Sequence, residues 1–138
     1  MTTLIGLDAV GAAMLADDLL LEGETLQSVW RYAIMQLLDD YSHDLGRDAP
    51  SVASRRFDRE PPATLSAEVD AALAALAEYL ARRDNWSVPS WARKPGRYSA
   101  KWWFATPLRG MHPTALQESP PSFCTRGVFM TAGALSRV

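Results

Sequence analysis

A chain of 138 residues and 15.2 kDa, with 48% hydrophobic and 22% charged residues, suits one folded domain and excludes wholesale disorder. A single cysteine excludes an internal disulfide and, with two histidines, a standard closed Cys/His zinc site. The net charge of −2 argues against a general nucleic-acid coat, and no apolar run reaches the roughly 18 residues that a membrane span needs. The opening MTTLIGLDAV has no basic region before its apolar residues, so it does not read as a secretory signal, and the expected compartment is the cytoplasm.

Residues 9–22 read as a first helix, with Asp8 as its cap and Gly23 as its stop. Its apolar face is broad: Val10, Ala13, Met14, Asp17 and Leu21 fall near one another, and Leu15 and Leu19 form a second line. The run from Glu24 to Asp44 repeats Leu26, Val29, Trp30, Ala33, Leu37 and Tyr41 at steps of three and four, the signature of an amphipathic helix. One glycine between the two predicts an antiparallel hairpin or one long kinked helix, so residues 1–44 form an acidic helical unit. Residues 45–65 carry Pro50, Pro61 and Pro62 among dense charges and read as a linker or surface loop, with Phe57 as its one large apolar anchor. A third helix spans 66–84, capped by Ser66. Val69, Leu73, Leu76, Ala77 and Leu80 line one face, five further alanines raise its helicity, and Glu78 and Arg82 sit four apart in the stabilising order.

Residues 85–138 break the pattern. Six prolines exclude long elements, and Trp86, Trp91, Trp102 and Trp103 concentrate here with Phe104, Phe123 and Phe129. Short helices are predicted at 113–118 and 131–137, the latter capped by Thr131, and short extended pieces near 101–105 and 127–130 pair as a small β-hairpin. The fold class is therefore mainly α: three longer helices wrapped by an aromatic-rich irregular segment.

Charge is graded along the chain. Residues 1–50 balance at −7, residues 51–84 at −1 and residues 85–138 at +6. An acidic part folding onto a basic part, or two protomers pairing head to tail, absorbs the gradient; the alternative is a basic surface that meets an acidic partner.

Catalytic signals are thin. Cys124, two residues before Arg126, would need a histidine from position 43 or 112 to act as a nucleophile, and a cysteine among aromatics is ordinarily a core filler. Asp17-Asp18 and Asp39-Asp40 point about 100° apart on a helix, so neither pair shares a metal-ligand position. Pairings of Asp17 with Glu22 or Asp40 with Asp44 read as solvated faces. No phosphate loop, dinucleotide fingerprint, HExxH helix or nucleophile elbow occurs. No cofactor, metal or catalytic residue is assigned. The tail interleaves tryptophans with Arg93, Lys94, Arg97 and Lys101, which suits base stacking and phosphate contact over 86–109. Trp, Tyr, Met and Arg are also the usual anchors of protein interfaces. The candidate partner contacts are Trp91, Arg93, Arg97, Trp102, Trp103, Arg109, Arg126 and Phe129.

The run DAALAALAEYLARRDNWSVPSWA at 70–92, the WWF at 102–104 and SPPSFCTRGVFMTAGALSRV at 119–138 resemble an actinobacterial family found as the C-terminal region behind a helix-turn-helix domain. Its members are labelled transcriptional regulators or antitoxin-like proteins, some encoded beside a nucleotidyltransferase-like toxin. The likeness covers about residues 66–138 and carries over no catalytic residue. It implies a non-enzymatic protein-interaction module, an antitoxin-like neutraliser or an adaptor, with an acidic surface or such a toxin as partner; the alternative is a nucleic-acid-associated regulator. No DNA-binding domain precedes the matching region, which favours the partner-binding form.

Overall fold

Ser66 opens the helix around which the chain is organised. In the computed structural model, which describes residues 6–105 and 109–136, its hydroxyl accepts a hydrogen bond from the Val69 N–H at 3.2 Å and α5 (Ala67–Asp84) follows. Glu68 and Asp70 lie in its first turn and Arg82 and Arg83 in its last, the order that the helix dipole favours. Val69, Leu73, Leu76, Ala77 and Leu80 are buried as their spacing predicts, but so are Ala71, Ala72, Ala74, Ala75 and Ala81. The alanines therefore do more than raise helicity. With no bulk beyond Cβ, they let neighbouring segments close on several sides of α5 at once. Asn85, at φ 63°, takes the left-handed conformation that ends the helix, and the Trp86 N–H returns to the Ala81 carbonyl at 2.9 Å.

The acidic half is a hairpin. α1 (Ala9–Leu21) is capped by Asp8, whose carboxylate accepts from the Gly11 N–H at 2.7 Å. Gly23 turns the chain at φ 87°, and the Glu24 N–H closes on the Leu19 carbonyl at 2.9 Å. α2 (Leu26–Val29) then runs through a π-helical stretch, Trp30–Ile34, into α3 (Met35–Arg47). The Leu7 N–H reaches Asp40 at 2.8 Å, which brings the start of α1 back beside α3. The buried face of α1 is entirely alanine: Ala9, Ala12, Ala13 and Ala16. Met14 and Leu21, grouped with Ala13 by spacing, instead point outward at 59% and 74% exposure. Alanine against the alanine-rich α5 permits an approach that larger side chains would block, so the bulky residues end up outside.

Residues 45–65, expected as a linker or surface loop, are helical at 45–47 and 50–57 and irregular only at 48–49 and 58–65. Pro50 occupies the first turn of α4 (Pro50–Ala53), where a missing N–H costs nothing, and a 3₁₀ turn, Ser54–Phe57, follows. Phe57 is the predicted anchor, stacked on Trp86 at 5.8 Å. Arg56 is buried with it, ion-paired to Asp44 at 2.5 Å and donating to the Leu7 carbonyl at 2.8 Å. The dense charges that suggested a loop are partly internal pairs.

The tail packs as a series of short turns, at Ser90–Arg93, Pro95–Arg97 and Arg109–Met111, with α6 (His112–Glu118) and α7 (Pro121–Cys124). Thr131 occupies the cap position of a 3₁₀ turn, Ala132–Leu135, without a side-chain bond to it; the rest of the helix expected to residue 137 lies partly outside the described residues. β1 (Trp103–Phe104) pairs with β2 (Val128–Phe129), but in parallel, Trp103 opposite Val128 and Phe104 opposite Phe129. A hairpin would need a tight turn, whereas this chain crosses through α6 and α7 between the strands. Gly127, at φ 80°, precedes β2, and a Cβ there would sit 3.0 Å from the Ser99 carbonyl.

Arg126 holds this tail to α5. It has no exposed surface. It donates to Glu78 at 2.7 Å, to the Ser122 and Ala92 carbonyls at 2.8 Å each, and to the Tyr98 hydroxyl at 3.3 Å. One guanidinium thus joins α5, α7 and the 90–98 segment. Replacing Arg126 by Ala is expected to lower the unfolding free energy by roughly 3–5 kcal/mol, because Glu78 and the carbonyls lose their counterpart. Arg126→Lys should recover only part of it, since one ammonium cannot span the planar fork. Urea unfolding of both variants is the check.

Burial pushes the Glu78 carboxyl up, but the hydrogen bond and charge of Arg126, joined by Arg82, hold it below the usual 4.5. Asp84, half-buried, is likewise held below 3.8 by Arg83 and the Tyr41 hydroxyl against the opposing effect of burial. Carboxyls depressed in this way add stability that is complete above their unfolded values and is lost as pH falls through their folded ones. The urea midpoint should therefore hold steady above about pH 5 and drop below about pH 4, and Glu78→Gln should flatten that drop.

Candidate binding groove

The expected partner-contact residues divide sharply. Trp91, Arg97, Trp103, Arg126 and Phe129 are buried, so their side chains serve the interior and not a surface. Each has a physical reason. The Trp91 indole N–H donates to the Phe57 carbonyl at 3.0 Å. Arg97 lies 5.0 Å over the Trp91 ring and donates to the Pro61 carbonyl at 2.6 Å. Trp103 meets Trp30 edge-on at 5.6 Å. Phe129 is enclosed between Trp102 at 5.0 Å and Phe104 at 5.1 Å. Arg93, Trp102 and Arg109 remain exposed, Trp102 at 67%.

The Cys124 thiol lies 3.8 Å from the Pro121 carbonyl, His112 stacks on Phe104 at 4.1 Å, and His43 is exposed on α3. Asp17 accepts from the Leu65 N–H, Asp40 from Leu7 and Gln36, and Asp44 holds Arg56. Among the described residues no cluster of three or more His, Cys, Asp or Glu could hold a metal ion.

A groove of about 620 Å³ lies between the last turns of α5 and the start of α7. Glu78, Tyr79, Arg82 and Arg83 project along one side of α5, as residues four apart on a helix do. Pro120, Pro121, Ser122 and Thr125 form the opposite wall. Tyr79 packs on buried Phe123 at 6.0 Å, and the Arg83 guanidinium lies 5.8 Å from the Tyr79 ring. The floor is therefore aromatic and proline-lined, with cations at its edge.

The electrostatics of this groove are lopsided. Glu78 supplies its carboxylate, which Arg126 occupies from inside at 2.7 Å. Arg82 also reaches it at 3.2 Å and Arg93 at 3.9 Å, with side chains 63% and 57% exposed. One negative charge thus faces three positive ones, and the two outer arginines keep charge to offer. Arg83 is committed to Asp84 at 2.9 Å, and Lys94 to Glu60 at 2.7 Å.

Spacing identified Glu78–Arg82 as a helix-stabilising pair but not as half of a groove, because Pro120–Pro121 and Arg93 are distant in sequence. The paired arginines at the end of an alanine-rich helix were the available signal.

Among the chain's five tryptophans, Trp102 is the exposed one, Trp86 is half-buried, and Trp30, Trp91 and Trp103 are buried. Iodide should therefore quench a fraction of the emission that largely disappears in Trp102→Phe and survives in Trp91→Phe. Equal loss in both variants would contradict this packing.

Among the described residues no helix is long and apolar enough to cross a membrane. Comparison with protein-family models, with curated proteins and with solved structures found no match to the chain.

Proposed function

We propose that the protein is a non-catalytic, cytoplasmic interaction module that grips an acidic segment of a protein partner in the groove between α5 and α7. The observation that carries this reading is the surplus of guanidinium over carboxylate at Glu78, set against an aromatic and proline floor. An acidic chain with apolar side chains would satisfy both: carboxylates on Arg82 and Arg93, apolar groups on Tyr79 and the prolines. Arginine and tyrosine are the residue types that most often carry interface energy. A toxin-neutralising or adaptor role, as the resemblance of residues 66–138 implies, is one form that such a module takes.

The nucleic-acid reading keeps Arg93, Lys94, Lys101, Trp102 and Arg109 as exposed elements, but it loses Trp91 and Trp103 as stacking platforms and Arg97 as a phosphate contact, since all three are buried. A base-stacking surface needs successive rings in the open.

A fluorescein-labelled peptide of alternating glutamate and leucine is the probe. Anisotropy should report saturable binding that weakens with added salt and falls about tenfold or more in the Arg82→Glu/Arg93→Glu variant, with Trp102→Ala unaffected. Unchanged affinity in the double variant overturns the reading. A salt-sensitive shift of single-stranded oligonucleotides that is abolished by Trp102→Ala would replace it.

A further inference from the structure

Among the described residues, Met14 and Leu21 on the outer face of α1 are left uncovered. Met14 and Leu21 stand outward on it at 59% and 74% exposure. Seven residues apart at about 100° per residue, they point in nearly the same direction. Asp18 lies between them and Glu22 just beyond, both exposed. From Asp8 to Glu24 the chain holds no basic residue. This face is an acidic ridge with apolar knobs, the chemical complement of a proline-and-tyrosine groove lined by Arg82, with Arg93 beside it at 3.9 Å from Glu78.

A chain cannot fill its own groove with this ridge. α1 packs on α5 through its alanine face, so the ridge points away from α5, whereas the groove is cut along α5 itself. The ridge of one copy is free to enter the groove of another.

We propose that the Met14–Asp18–Leu21–Glu22 face of α1 docks into the Arg82–Arg93 groove of a second copy. The proposal rests on the groove reading above and names its occupant. Leu21 would lie on Tyr79 and Pro121, and Asp18 and Glu22 would meet the exposed arginines. The two surfaces differ, so the contact is heterologous: every copy carries one ridge and one groove, and the assembly extends head to tail until it closes as a ring or grows as a filament. The acidic-to-basic gradient along the sequence then acts between molecules. Occupied by a neighbouring copy, the groove would be closed to any other acidic partner, so self-assembly and partner binding would compete.

Sedimentation of the full chain tests this. At low salt the average mass should rise between about 10 µM and 1 mM protein, the range that a modest interface spans. It should fall toward the monomer at about 1 M salt, where screening acts within about 3 Å. Leu21→Glu removes the ridge and Arg82→Glu the groove, and each alone should be monomeric. Mixed in equal amounts they should form a dimer that grows no further, since each variant keeps one intact surface.

Both positions are exposed, and circular dichroism confirms folding; Arg93→Glu substitutes if Arg82→Glu disturbs Glu78. A wild-type chain monomeric throughout, a mixture that stays monomeric, or single variants that assemble like the wild type would each overturn the proposal. Loss of acidic-peptide binding in the Arg82→Glu/Arg93→Glu variant, beside a monomeric wild type, would leave the groove reading standing and remove this one alone.

Discussion

The Arg126 guanidinium sits where no water reaches it, four hydrogen bonds deep in a tail that has little regular structure of its own. Stripping a cation of its hydration costs several kcal/mol, and that cost is met here only because a carboxylate and two carbonyls stand in fixed positions around it. The positions come from three segments far apart in sequence, so the tail must be folded against α5 for the charge to be tolerated. The same contact reaches the surface. Because Arg126 occupies Glu78 from within, Arg82 and Arg93 cannot both be neutralised by it from outside, and the groove acquires its positive rim. The buried ion pair and the exposed groove share one carboxylate.

Alanine is the second organising device. α1 presents Ala9, Ala12, Ala13 and Ala16 inward, and α5 presents alanines on several sides. Close packing of small residues leaves no room for leucine or methionine at that contact. Met14 and Leu21 consequently stand outside on a helix whose charges are all acidic. The sequence gradient becomes a spatial one through this packing, with an acidic ridge on one element and a cationic groove on another.

Local features were legible because their causes are local. Asp8 and Ser66 cap helices by bonding to N–H groups three residues ahead, and Gly23 ends the first helix at a backbone angle that other residues rarely adopt. The spacing of Leu26 to Tyr41 and of Val69 to Leu80 marked two helices within a few residues of their ends. Phe57 was the anchor of its segment. Residues 50–57 were misread because prolines and charges signal irregularity in isolation, whereas Pro50 starts a helix and Arg56 is paired inside the fold with Asp44, twelve residues earlier; residues 58–65 are the surface loop expected there.

Trp102 and Trp103 show where such reading ends. Both were expected as partner contacts, yet Trp103 is buried in β1 while Trp102, just before the strand, is exposed. The sequence determined the three main helices, the caps of the first and third, the aromatic tail and the graded charge, since each depends on propensities within a turn or two. Which tryptophan is buried, which arginines carry a free rim, whether the strands run parallel and which face of α1 is left bare were decided by tertiary structure. Those outcomes depend on what α5 presents to segments tens of residues away, and burial and charge pairing are properties of the assembled core.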